Sequence, residues 1–117
     1  MTRLLLLSLL GLSIISLSAS GAGEWKALRG EYTIQQAPLS DPIANTPPVA
    51  FFKIEGAAAK AMFEGMRDAK TEKNACGENG LTMKIADGLV CARLKGQYSC
   101  NFGVGLVDGK LQLGYTC

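Results

Sequence analysis

At 117 residues, 48% hydrophobic and 19% charged, the chain can build one small core but not two lobes with a cleft between them. A formal charge of +2 with no Lys/Arg block leaves no electrostatic footprint for gripping nucleic acid or an anionic membrane. The absence of histidine removes the commonest general base and the commonest metal ligand together.

In chain order, residues 1–21 read as a cleaved secretory signal peptide. Arg3 precedes an apolar run from Leu4 to Leu17, interrupted only by Ser8, Gly11, Ser13 and Ser16, and small residues follow from Ser18 to Gly23. The run is shorter than the roughly 20 residues that span a bilayer. Cleavage is expected near Ala22 or Gly23, with no stable membrane insertion afterwards, so the protein is expected in the periplasm or outside the cell. Only Arg3 is lost from the 12 basic residues, leaving 11 against 10 acidic ones and a mature charge of about +1.

Residues 22–48 form an extended, proline-containing segment that holds all four prolines. Trp25, Leu28, Tyr32 and Ile34 suit one short strand, and Pro38 to Pro48 reads as a loop. Residues 49–117 complete the same single domain. Val49 to Ile54 is a short apolar strand. A helix is expected over Ala57–Ala69, because Ala58, Met62, Met66 and Ala69 recur at helical spacing while Lys60, Glu64 and Arg67 point elsewhere. Lys70 and Lys73 follow its end, where they suit the negative pole of the helix.

Turn chemistry organises the rest. Asp87-Gly88 and Asp108-Gly109 are both dipeptides favoured in two-residue hairpin loops. The first places Ile85 opposite Val90, Met83 opposite Ala92 and Leu81 opposite Leu94. The second places Leu106 opposite Leu111, Val104 opposite Leu113, Phe102 opposite Tyr115 and Cys100 opposite Cys117. A three-residue loop, Lys95-Gly96-Gln97, keeps every large apolar residue on one face, with Ala92 opposite Cys100. The fold class is therefore α+β: a four-stranded antiparallel meander over about 81–117, the helix over about 57–69 packed on its apolar face, and room for one or two extra N-terminal strands. The other face carries Gly103, Gly105 and Gly114, and it is a surface for a partner or for the chain's own Trp25–Ile34 stretch.

Cys76, Cys91, Cys100 and Cys117 are an even set in an exported domain, so two disulfides are expected. Their spacings of 15, 9 and 17 contain no C-x-x-C pair, which disfavours a zinc site or a redox-active dithiol. In the meander register Cys91 lies on the polar face and Cys100 and Cys117 on the apolar one, so the pairing expected is Cys76–Cys91 and Cys100–Cys117.

No catalytic set emerges. A Ser-His or Cys-His nucleophile needs histidine, Ser99 faces Arg93 with no lysine placed to activate it, and Asp87 and Asp108 are occupied as turn formers. Gly103-x-Gly105 lies within a strand and lacks the third glycine of a dinucleotide loop. No cofactor, metal or catalytic residue is assigned. The reading is of a non-catalytic binding module, inhibitor-like or immunity-like, whose partner is another exported or envelope protein and which uses the Pro38–Pro48 or Gly77–Gly80 loop. The alternatives are a structural or assembly subunit of the envelope that adds strands at Lys110–Cys117, and a small-molecule carrier with a cavity between helix and sheet.

Overall fold

The computed structural model describes residues 23–36, 47–115 and 117; the signal segment and most of the Pro38–Pro48 loop lie outside them. One helix, α1 (Gly56–Gly65), packs on a seven-stranded antiparallel sheet built from β1 (Arg29–Gln36), β2 (Pro48–Glu55), β3 (Lys70–Lys73), β4 (Thr82–Ala86), β5 (Leu89–Leu94), β6 (Gln97–Gly105) and β7 (Leu111–Gln112). The α+β class stands, with more strands than the four expected. The strand order is β1-β2-β6-β5-β4-β3, with β7 pairing β6 beyond the end of β5.

The first hairpin has the register expected of it. Ile85 pairs with Val90 and Met83 with Ala92, around a loop in which Asp87 adopts φ 50°. The second connection differs by a single residue, and the difference reorganises the molecule. The loop between β5 and β6 is Lys95-Gly96, two residues at φ 50° and 73°, so Leu94 pairs with Gln97, Ala92 with Ser99 and Cys91 with Cys100. A one-residue change of register moves every side chain of a strand to the other face. The apolar residues expected on one face are consequently split between two.

On the first face, α1 lays Ala59 and Phe63 over Ile54, Cys91 and Cys100, with Met62, Met66, Leu89, Tyr98 and Phe102 around them. Ala59 is fully buried because the disulfide sulfurs sit directly beneath it; Cys100 Sγ lies 3.6 Å from the Ala59 carbonyl oxygen. The Phe63 ring meets Tyr98 edge-on at 5.4 Å. The helix stops at Gly65, four residues before the expected end, and the Met66 N–H closes it onto the Met62 and Phe63 carbonyls. Its negative pole is met from β4, where Lys84 Nζ donates to the Phe63 carbonyl at 2.9 Å and lies 4.3 Å from that ring's centre. Lys70 and Lys73, expected in this role, belong instead to the short strand β3.

On the opposite face Met83 and Val90 pack with Leu81 and Ala75, flanked by Ile85, Ala92, Leu94 and Tyr115. The cover here is irregular chain: a 3-10 turn at Ala75–Gly77 and the C-terminal segment that carries Tyr115. Glycines let that segment lie close. A Cβ on Gly88 would stand 2.8 Å from the Gln112 backbone, and one on Gly114 would stand 2.7 Å from the Phe102 backbone. Gly103 is occupied by its own sheet neighbour, since a Cβ there would meet the Phe51 ring at 2.8 Å. The glycine-bearing face is thus filled in part from within, by Phe51 and the C-terminal segment. The Trp25–Ile34 stretch does not cover it, because β1 is a sheet edge and Trp25 is fully exposed.

The last hairpin also departs from expectation. Its loop is Leu106–Gly109, closed by Gly105 N–H donating to the Lys110 carbonyl at 2.8 Å, with Gly109 at φ 70°. Asp108 remains a turn former, accepting from the Lys110 N–H at 2.9 Å. Val104 therefore pairs with Leu111 rather than Leu113, and the strand expected over Lys110–Cys117 shrinks to two residues.

Both disulfides form, with a connectivity that corrects the expected one. Cys91 bonds Cys100 and Cys76 bonds Cys117, in place of Cys76–Cys91 and Cys100–Cys117. The two-residue loop sets Cys91 and Cys100 directly opposite each other with Cα atoms 4.0 Å apart, close enough for a bond across adjacent strands. The chain beyond β7 leaves the sheet edge and crosses to the 3-10 turn, where Cys117 meets Cys76.

Candidate functional site

The face opposite α1 is only partly covered, and a groove of about 650 Å³ opens along it and runs round to the start of α1, where Gly56, Ala57, Lys60 and Tyr98 line it. Its position follows from the β5–β6 register. With Cys91 and Cys100 turned toward the helix, the alternate residues of β5 and β6, Val90, Ala92, Leu94, Ser99 and Asn101, line the groove together with Met83 of β4. Leu81, Glu78 and Tyr115 contribute from the segments that cover the second core, and Lys53, Glu55 and Arg29 from β2 and β1.

The groove has a lining of mixed polarity, in which Ala92 and Leu94 lie beside Ser99 and Asn101, and a charged rim of both signs. Arg29 Nε lies 3.8 Å from Glu55 and Lys53 Nζ 3.8 Å from the same carboxylate, all partly solvent-exposed, so the pairs are screened and add little to stability. Chemically, such a surface offers a narrow apolar strip with hydrogen-bonding side chains beside it and ionic partners at its margin. Among the described residues, no group of three or more His, Cys, Asp or Glu side chains comes together as a metal site would require.

The residues singled out in the sequence are distributed unevenly around this groove. The four cysteines hold its walls without lining it: Cys91–Cys100 beneath the helix, and Cys76–Cys117 beside Tyr115, whose hydroxyl lies 3.8 Å from Cys76 Sγ. From the Gly77–Gly80 loop, Glu78 lines the groove; the Pro38–Pro48 loop lies almost entirely outside the described residues. Ser99, expected opposite Arg93, stands instead between Ala92 and Glu55 on the groove side. The groove itself was not expected from the sequence. The signal that could have revealed it is Lys95-Gly96, read as a complete two-residue turn.

The sheet ends on two edges of different character. β3 is four residues long and reads Lys-Thr-Glu-Lys, a short charged edge of the kind that discourages further pairing. β1 is twice as long, exposed throughout and free of proline and lysine, and it carries Tyr32 and Ile34 at 73% and 57% exposure. No helix among the described residues is long and apolar enough to cross a membrane. No protein family, curated protein or solved structure matches the chain.

Proposed function

We propose that the protein is a small exported, disulfide-stabilised, non-catalytic binding module that acts on another exported or envelope protein, inhibitor-like or immunity-like, by covering part of that partner's surface. The observation that carries this reading is the groove: an open surface of mixed polarity, with Ala92 and Leu94 beside Ser99 and Asn101 under a rim of both charge signs, on a domain held by two disulfides. A groove of this shape suits a projecting loop or an extended segment of a partner better than an enclosed small ligand. The small-molecule alternative has less support, because the helix–sheet interface where a carrier's cavity was expected is packed with Ala59, Phe63 and the Cys91–Cys100 disulfide.

The test uses oxidised protein from residue 22 to residue 117 as bait in extracts of exported proteins, with reduced and alkylated protein as control. Ser99→Trp fills the groove from a half-buried position, and Thr71→Arg changes the exposed β3 edge away from it. The expected result is a partner retained by the oxidised bait and by Thr71→Arg, and lost from Ser99→Trp. Retention undiminished by Ser99→Trp would remove the groove from the reading, and the absence of any foreign partner would count against a binding module altogether.

A further inference from the structure

We propose that two copies of the protein join through β1, antiparallel about a two-fold axis at Gly30, so that two sheets become one. This goes beyond the groove reading and rests on the outer edge of β1, which shares Arg29 with the groove's rim. Among the described residues β1 bonds β2 along one side only, and its other side presents a row of backbone donors and acceptors with none of the usual guards against pairing. The strand carries two charges, Arg29 and Glu31, of opposite sign and symmetric about Gly30.

Self-complementarity selects the occupant and the register together. With Gly30 opposite Gly30 of the second copy, Arg29 of each chain faces Glu31 of the other, and the two pairs lie on the same side of the sheet. On the helix side the same register sets Leu28 of each chain against Tyr32 of the other. Leu28 and Tyr32 are 61% and 73% exposed in the single chain, and Trp25 is fully exposed; pairing extends β1 backward through this segment and covers it. A two-fold register centred on Tyr32, which overlaps more of the eight-residue strands, would instead set Glu31 against Thr33 and Arg29 against Gln35, leaving the charges without partners. An interface of this kind is isologous, so each half must carry both members of every pair, as β1 does.

Each charge has a neighbour inside its own sheet, Glu55 opposite Arg29 and Lys53 opposite Glu31. For that reason the test changes one charge at a time. The mass of oxidised protein is measured by sedimentation equilibrium over a concentration series for the wild type, Arg29→Glu, Glu31→Arg, and an equimolar mixture of the two variants, with circular dichroism confirming that each is folded. The wild type is expected to dimerise, and each variant alone to weaken self-association about tenfold or more, because like charges now face each other. The mixture is expected to restore the dimer, since Arg29→Glu supplies two acidic residues and Glu31→Arg two basic ones in matching positions. A monomeric wild type, variants that dimerise as the wild type does, or a mixture no better than its components would each overturn the proposal.

Discussion

Replacing Cys91 and Cys100 together by alanine is expected to destabilise the oxidised protein by about 2–5 kcal/mol, at least as much as the matching change at Cys76 and Cys117. Loop length alone argues the opposite. The residues of the buried bond are 9 apart in sequence and those of the exposed one 41 apart, and chain entropy assigns about 3 kcal/mol to the shorter closure and about 4 to the longer. Burial reverses the order. Cys91 and Cys100 are both fully buried, and their sulfurs form the floor on which Ala59 rests, so their removal opens a cavity under the only helix among the described residues. Cys76 and Cys117 are exposed at both ends, and their loss releases the terminal segment without emptying the core. Chemical denaturation of the two double variants decides the matter. A Cys91/Cys100 variant that loses less than half as much stability as the Cys76/Cys117 variant would show that packing on the disulfide is not what holds the helix.

Phe63→Ala is expected to cost about 3–5 kcal/mol, the range for emptying a large aromatic site. The ring is 4% exposed, meets Tyr98 edge-on, and carries Lys84 on its face with the Arg93 guanidinium 5.3 Å from its centre. Truncation removes the apolar contact and also strands two cations over a void. Phe63→Leu retains most of the buried volume and should lose less. Denaturation midpoints for the two variants give the comparison; a cost below about 1 kcal/mol for alanine would mean that the helix is anchored elsewhere.

Much of this architecture is legible in the residues. Asp87-Gly88 fixes the β4–β5 register because the dipeptide favours a two-residue loop, and the flanking apolar residues agree with it. Val49 to Ile54 reads as a strand from its apolar, β-branched and aromatic content, and the expected helix is present, although its buried centre is Ala59 and Phe63 and the expected stripe of Ala58, Met62 and Met66 is only partly buried beside them. What fails is the assumption that a small sheet has one apolar face. Moving Gln97 into the loop satisfies that assumption and places Cys91 and Cys100 on opposite sides, whereas Lys95-Gly96 closes the turn alone and places them together. The pattern of apolar residues is nearly as good in either register, because this sheet is covered on both faces. Local turn geometry is the stronger guide in such a case.

Other differences have the same kind of origin. β3 hides among alternating charges because an edge strand needs no apolar residues, and the strand expected over Lys110–Cys117 stops at Gln112 because the chain is drawn across the sheet to Cys76. The groove depends on long-range facts: the β5–β6 register, the inward turn of the disulfide, and the incomplete cover supplied by Tyr115. None of these is a local property of the sequence, so the site emerges only when the strands are assembled.

The β5–β6 register sets the two cores, the disulfides and the groove. Non-reducing tryptic mapping tests it directly, because each cysteine falls in its own peptide: 74–84, 85–93, 96–110 and 111–117. The expected result is 85–93 linked to 96–110, and 74–84 linked to 111–117. Linkage of 74–84 to 85–93, with 96–110 joined to 111–117, would contradict the two-faced sheet and the groove that depends on it.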